Sequence, residues 1–198
     1  LPSDTEEQFA TMLAENLNSY DVVIVTDFGH GLISDATVSL LNREARFLAV
    51  NCQTNSGNHG YNLITKYPRA DYVCIDGNEA RLACHDKYSG LEEILSNQLP
   101  NIIECDRMIV TQGKHGCLTL DHPGRLNHVP TFTSSIIDTV GAGDAFFALS
   151  APIAALGAPM PIVGFMGNVA GAMKVGIVGH RTSVEKVPYI KFITALLK

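Results

Sequence analysis

An aspartate follows a short glycine-rich segment in IIDTVGAGDAFFA, residues 136–148, between a β-branched run and an expected helix. Gly141, Ala142 and Gly143 would let a ligand approach the backbone closely, with their N–H groups at the helix N-terminus. That end carries roughly half a positive charge and attracts a phosphate or a developing oxyanion. Asp144, favoured in the first helical turn by the same dipole, could accept a proton from an attacking hydroxyl. The pattern favours phosphoryl transfer; on spacing alone, an ordinary turn before a first-turn helix residue remains the alternative.

Other loops are expected at the same edge of a sheet as this segment. Strand-like runs end at residues 27–31, at residues 76–79 and at Thr111, which is followed by Gly113 and Gly116. In an open α/β sheet, ligands bind outside the carboxyl ends of the strands. These loops are therefore the candidate binding elements, although the two glycines alone favour a simple hairpin turn.

Strand-like and helix-like segments alternate along the chain. A continuous β-branched run predicts a buried strand in residues 21–31. Further strands are predicted in residues 47–53, 70–77 and 107–121 (two strands around a tight turn), with a short extended piece in 124–132. Helical spacing and capping residues predict helices in residues 5–19, 34–47, 78–86, 90–99, 143–156, 161–175 and 185–197, with Ser34 as an N-cap. This order predicts a three-layer α/β, Rossmann-like fold with a mostly parallel central sheet, formed by residues 1–198 as one domain.

Composition excludes several classes of protein. The net charge is −6 and 46% of residues are hydrophobic, which argues against a nucleic-acid or anionic-membrane surface and for a packed core. No apolar run reaches the roughly 20 residues needed to span a bilayer. The cysteines, which are odd in number and scattered, favour free thiols in a reducing cytoplasm.

Several stretches together resemble one protein family. DTVGAGDAFFA closely resembles the C-terminal signature of the ribokinase-like (phosphofructokinase B-type) carbohydrate kinases. VTQGKHGCLTLD resembles the strand–turn–strand, T-x-G-x-x-G, that runs along the nucleotide in that family. GNVAGAMKVGIVG resembles the family's late helix and loop beside the adenine. VVIVTDFGHGLIS is similar to a segment of the heptose-phosphate kinase branch. The resemblance runs from about residue 20 to the end. It implies a ribokinase-like fold and ATP-dependent phosphorylation of a sugar or sugar phosphate, with Mg²⁺ and a monovalent cation such as K⁺.

The resemblance also implies roles for individual residues. Asp144 would be the catalytic base. The anion-hole amides would come from Gly141, Ala142 and Gly143. The residues expected along the nucleotide are Thr111, Gly113, Gly116, Asn168, Gly179 and Asn78. The residues expected near metal ions are Asp138, Val140 and Glu79, the first two for the monovalent cation. The residues expected near the sugar substrate are Asp27 and His30.

Two positions depart from the family pattern. The family carries N-x-x-E after the third strand, where the glutamate orients water on Mg²⁺. Here Asn78 is followed by Arg81 at the glutamate position, and Glu79 is the carboxylate that could compensate, although adjacent helical residues do not share a face. In DFGHG, His30 stands where the heptose-phosphate branch has lysine, and an ordinary surface-loop histidine is an equally supported interpretation.

Nothing in the sequence matches the N-terminal third of the family, which carries the sugar-binding aspartate and a small β-sheet lid. We therefore expect a fragment of a longer chain, with an exposed sheet edge that favours a homodimer. Two hypotheses follow: the ATP-binding and catalytic part of a cytoplasmic sugar kinase, or a weakened nucleotide-binding module that regulates or scaffolds a fused nucleotidyltransferase or another partner. An unrelated dinucleotide-binding domain is disfavoured, because DFGHG lacks the G-x-G-x-x-G fingerprint.

Overall fold

The central sheet of the protein joins its strands in the order in which they occur in the chain. The computed structural model describes residues 3–122, 124–133, 136–179 and 181–198. Six strands pair in the order β1 to β6: β1 to β4 run parallel, β5 runs antiparallel to its neighbours β4 and β6, and β6 again runs in the direction of β4. The strands are β1 (Val23–Asp27), β2 (Leu48–Cys52), β3 (Tyr72–Asp76), β4 (Met108–Thr111), β5 (Cys117–Asp121) and β6 (Arg125–Val129). The predicted mostly parallel α/β sheet is confirmed.

Helices cover both faces of this sheet. They are α1 (Ser3–Asn16), α2 (Asp35–Glu44), α3 (Gly77–Ala83), α4 (Leu91–Glu93), α5 (Ala142–Ala155), α6 (Met160–Lys174) and α7 (Lys186–Leu196). Ser34 caps α2 as predicted, and its side chain accepts a hydrogen bond from the N–H of Thr37 at 3.3 Å. No helix in the described part of the chain is both long and apolar enough to cross a bilayer.

The segment expected as one helix over residues 90–99 differs from the prediction. Its single α-helical turn, α4, is followed by a π-helical stretch, Ile94–Gln98, and a 3₁₀ turn, Leu99–Asn101. Pro100 has no N–H to donate to a preceding carbonyl, so the regular α-helical ladder cannot continue through it.

The core lies in two layers, one on each face of the sheet. Leu48, Val50 and Ile75 belong to the cluster beneath α2 and α3, whereas Ala49 and Tyr72 belong to the cluster beneath α5 and α6. Because successive residues of a strand point to opposite faces, β2 is buried along its whole length. This sandwich fixes the carboxyl ends of β1 to β4 along one edge, where the loops that carry the candidate residues begin.

Candidate functional site

A cavity of about 320 Å³ opens at the carboxyl ends of β3 and β4, between the β4–β5 turn, the start of α5 and the C-terminal half of α6. Six residues that sequence analysis singled out line it: Thr111, Gly113, Gly116, Ala142, Gly143 and Asn168. They come from segments up to 57 residues apart in the chain (168 − 111), and the fold brings them to one wall. Asp76 and Lys114 also line the cavity, and sequence analysis did not assign them to the site.

The N-terminus of α5 presents its backbone to this cavity. Gly141 precedes the helix with φ +75°, a left-handed conformation that favours glycine, and its carbonyl accepts from the N–H of Ala145 at 3.0 Å. The N–H groups of Gly143 and Asp144 have no acceptor among the described residues. Apart from its chain neighbours and the backbone of its own helix, no atom of the described residues would lie within 4 Å of a Cβ added to Gly143, so the space above this turn is open. The arrangement provides free donors at the positive end of a 14-residue helix.

The carboxylate of Asp144 is held by a residue that sequence analysis missed. Gln53, directly after β2, donates from Nε2 to Asp144 Oδ1 at 2.7 Å. The backbone N–H of Gln53 donates to the carbonyl of Asp27 at 2.8 Å, which ties it to the end of β1. The position of Gln53 at the end of a predicted strand was the available signal. The amide orients Asp144 without adding a charge.

Glu79 lies buried near Asp144, at the start of α3. It forms a capping box with Asp76: Asp76 Oδ1 accepts from the N–H of Glu79 at 2.8 Å, and Glu79 Oε2 accepts from the N–H of Asp76 at 2.8 Å. Glu79 Oε1 accepts from the N–H of Thr54 at 3.0 Å. Burial, reinforced by the negative charges of Asp76 and Asp144, raises the pKa of Glu79 to about 7. A cation at this point would favour the ionised carboxylate.

Arg81 turns away from this carboxylate pair. Its Nη1 donates to the carbonyls of Lys87 and Ser89, in the loop after α3. The guanidinium therefore stabilises that loop. Glu79, in the same helix, is the buried carboxylate. Asn78 is exposed in the first turn of α3 and lies outside the cavity lining.

Gly116 and Asn168 shape the wall of the cavity through the end of β6. Gly116 has φ +86°, and a Cβ there would lie 2.0 Å from the carbonyl oxygen of Val129. Asn168 Nδ2 donates to the carbonyls of Val129 and Pro130, each at 3.0 Å. Both residues thus fix the backbone that encloses the cavity, in addition to lining it.

Asp138 links the segment before α5 to the loop after α6. Its Oδ1 accepts from the N–H of Val140 at 3.0 Å, and its Oδ2 accepts from the N–H of Gly179 at 2.7 Å. These backbone bonds lower the pKa of Asp138 below its ordinary value. Gly179 was expected along the nucleotide, but it lies beside Asp138 and is not among the residues that line the cavity.

Asp27 and His30 lie in the loop after β1, outside the α5 cavity. Asp27 is 3% exposed and accepts from Lys66 Nζ at 2.8 Å, from the Tyr67 hydroxyl at 2.9 Å and from the N–H of Gly29 at 2.9 Å. Burial alone would raise the pKa of Asp27, but these three donors outweigh it and lower the pKa. Asp27 positions the loop, and of the two only His30 is exposed to solvent.

A second cavity, of about 460 Å³, adjoins this loop. Gly29, Gly31, Asn58 and Lys66 are among its lining residues.

Within the described ranges, no cluster of three or more histidine, cysteine or acidic side chains could hold a metal ion. All five cysteines are free, as predicted.

Fold and site together define an α/β domain with a helix N-terminus and an adjacent carboxylate at a ligand cavity. The family model "pfkB family carbohydrate kinase" matches residues 3–187, and the chain belongs to this family. The expected family resemblance is confirmed.

Curated relatives and solved structures agree with this assignment. The chain is 25% identical over 180 residues to the bifunctional protein HldE of Citrifermentans bemidjiense, covering 90% of this chain and 36% of that protein. It is 29% identical over 191 residues to HldE of Pseudomonas fluorescens, covering 89% and 38%. The chain thus spans less than two fifths of these relatives.

Two solved kinases share the fold. The ribokinase of Thermotoga maritima matches with a TM-score of 0.73 at 19% identity, covering 91% of this chain and 59% of that one. The phosphofructokinase-2 of Escherichia coli, in complex with potassium, matches with a TM-score of 0.82 at 15% identity, covering 100% and 64%. These likenesses confirm the ribokinase-like fold.

Proposed function

We propose that this chain supplies the ATP-binding and catalytic-base part of a sugar or sugar-phosphate kinase. The observation that carries the proposal is Asp144 in the first turn of α5, at an open cavity and beside the N–H of Gly143, which has no acceptor among the described residues. A base and an anion site in one helical turn suit the removal of a proton from a hydroxyl while a phosphoryl group is transferred to it.

The residues fit a nucleotide. The cavity volume of about 320 Å³ lies within the range of roughly 300–1,000 Å³ typical of small-molecule sites. The γ-phosphate would lie at the N–H groups of the α5 N-terminus, with Thr111, Gly113 and Gly116 beside the rest of the nucleotide. Asp144, oriented by Gln53, would accept the proton of the sugar hydroxyl.

Mg²⁺ fits this arrangement when it is bound mainly through phosphates and water, because the ion needs few protein ligands. It would neutralise charge on the phosphates. Glu79, buried beside Asp76 and near Asp144, is the carboxylate best suited to orient its water. Among the described residues, the hydrogen-bond donors to Glu79 are two backbone N–H groups and none is a cation, which favours a role beside an ion over the bare structural cap.

A heptose-phosphate-like sugar is the favoured substrate. The support is the DFGHGLIS segment and the similarity to proteins named bifunctional protein HldE. His30, exposed in that segment, would contact the sugar or its phosphate, and Asp27 would hold the loop that presents it. The partners would be small molecules, and the protein would act in the cytoplasm. Strand β1 lies at the edge of the sheet and its Ile24 is 40% exposed, which would favour a homodimer.

A second candidate is a nucleotide-binding module that has lost efficient catalysis and regulates or scaffolds a partner. It is favoured by one observation: both oxygens of Glu79 already accept backbone N–H bonds, from Thr54 and Asp76. A carboxylate engaged in this way orients metal-bound water less freely. Such a module would bind nucleotide without turnover.

The first test is calorimetric titration of the chain with a non-hydrolysable ATP analogue, with and without Mg²⁺. We expect saturable binding that weakens more than about tenfold in Gly143→Leu, whose side chain would project into the open cavity. Ala148→Leu, at an exposed position of the same helix outside the cavity lining, is the matched control. Equal binding by the two variants, or none by the folded chain, would contradict a nucleotide site here.

The second test measures ADP release with a panel of sugar phosphates, using the chain joined to the N-terminal third of an HldE relative. Kinase activity that disappears in Asp144→Asn supports the first candidate. Analogue binding with no ADP release on any sugar of the panel supports the second.

A further inference from the structure

Lys174 is a buried charged side chain that the proposed phosphoryl transfer does not use. It is the last residue of α6 and is 6% exposed. Its Nζ donates to the carbonyl oxygen of Gly179. A buried ammonium is costly unless it is paired, so its surroundings must supply negative charge or strong acceptors.

The surroundings of Lys174 are two backbone segments that meet before α5. The N–H groups of Ile137 and Asp138 donate to the carbonyl of Val175, at 2.9 and 3.1 Å. Asp138 Oδ2 accepts from the N–H of Gly179 at 2.7 Å, on the same residue whose carbonyl accepts from Lys174. The positive charge of Lys174 helps to lower the pKa of Asp138. The C-terminal end of α6 adds a negative dipole.

The same place is where a monovalent cation was expected from Asp138 and the carbonyl of Val140. The donor set does not fit a separate ion. Both oxygens of Asp138 already accept backbone N–H bonds, and the carbonyl of Gly179 is occupied by the ammonium. A second positive charge would compete for these oxygens and repel the ammonium.

We propose that the ammonium of Lys174 is a built-in replacement for the monovalent cation, and that nucleotide binding by this chain is therefore independent of K⁺. This inference rests on the proposed nucleotide site. Residues 137–140 lead directly into Gly141 and the N-terminus of α5. Lys174 is thus a positioning residue: it joins the Gly179 loop to the segment that sets the orientation of the anion-binding N–H groups.

The test is titration of the ATP analogue in KCl, NaCl and tetramethylammonium chloride at equal ionic strength. For the unmodified chain we expect a Kd that changes less than about twofold among the salts, because the Lys174 ammonium takes the place of the dissolved cation. In Lys174→Met, which keeps an unbranched apolar side chain and removes the ammonium, we expect about tenfold weaker binding in tetramethylammonium. Lys191→Met, at an exposed position of α7, is the control and should bind like the unmodified chain.

Rescue separates the charge from simple packing. K⁺, or the charged substitution Lys174→Arg, should restore part of the affinity lost in Lys174→Met. A loss that neither restores would refute an electrostatic role, as would equal binding by Lys174→Met and Lys191→Met in tetramethylammonium. Strong K⁺ dependence of the unmodified chain would overturn the proposal even if Lys174→Met fails to fold.

Thermal unfolding without nucleotide distinguishes this inference from the proposed function. We expect the Tm of the unmodified chain to be the same in all three salts, and that of Lys174→Met to be lower and to rise selectively with K⁺. If the unmodified chain binds no analogue, the proposed function fails, and these Tm values decide the role of Lys174. The proposed role of Lys174 would be contradicted if K⁺ selectively raised the Tm of the unmodified chain, or if K⁺ left the Tm of Lys174→Met unchanged.

Discussion

The buried carboxyl of Glu79 should make the stability of this protein fall between mildly acidic and neutral pH. Its pKa is raised from the ordinary value of 4.5 to about 7, first by burial and then by the negative charge of Asp76. Because the folded state holds this proton more tightly than the unfolded state, ionisation costs stability as the pH rises from about 4.5 through about 7. The difference of about 2.5 between the two pKa values corresponds to about 3.5 kcal/mol in total, since a tenfold change in proton affinity is worth about 1.4 kcal/mol.

Glu79→Gln removes this titration. The amide can replace one acceptor oxygen but not both, so the variant loses either the bond from Thr54 or the one from Asp76, at every pH. Urea unfolding at pH values from about 5 to about 8 should show a decline of about 2.5 kcal/mol in the unmodified chain, because part of the loss lies below pH 5, and a nearly flat profile in the variant.

Among the described groups whose pKa is shifted, only Glu79 titrates inside this pH window. The shifted carboxyls of Asp27 and Asp138 have pKa values lowered from 3.8, and burial raises the pKa of Cys84 to about 11, so all of these titrate outside it. Glu92→Gln, at an exposed position of α4, is the control and should decline like the unmodified chain. The reasoning is refuted if Glu79→Gln and Glu92→Gln show the same dependence on pH.

Three further substitutions test the surrounding structure. Gly116→Ala should lower the free energy of unfolding by more than about 3 kcal/mol in urea unfolding, because its Cβ would overlap a β6 carbonyl. Gly113→Ala, which has a positive φ but open space around the Cβ, should lower it by only about 1 kcal/mol, and similar losses in the two variants would contradict the steric account. Lys66→Met should cost about 3–5 kcal/mol in the same assay by leaving Asp27 buried without its cation, and a loss below about 1 kcal/mol would show that the pair is dispensable. Arg81→Gln should leave the Kd of the ATP analogue within about twofold of the unmodified value in calorimetry, since its guanidinium faces the loop after α3; a large change would place the residue in the site.

Local patterns predicted the framework well. β-branched runs marked the strands, and the serine at position 34 marked the start of α2, because these features depend on neighbouring residues alone. The glycine-rich segment before Asp144 was likewise readable, since a turn followed by a helix needs no distant contact.

The contacts that orient the site could not be predicted in the same way. The Gln53–Asp144 hydrogen bond joins residues 91 positions apart, and no periodicity records such a pair. The direction of Arg81 depends on carbonyls in the loop that follows α3, and the burial of Asp27 depends on Lys66. Each of these is decided by tertiary packing, which overrides what the residue type suggests.

The strictly sequential order of the sheet has a consequence for synthesis. Since every strand pairs with the strand before it, β1 to β4 need no later segment to find their partners while the chain leaves the ribosome. The α5 and α6 layer, which carries Asp144 and Lys174, is made afterwards and packs onto a sheet that already exists. We therefore expect nascent chains that end before α5 to hold a sheet with one uncovered apolar face, a substrate for chaperones, and to gain nucleotide affinity only when the last third of the chain emerges.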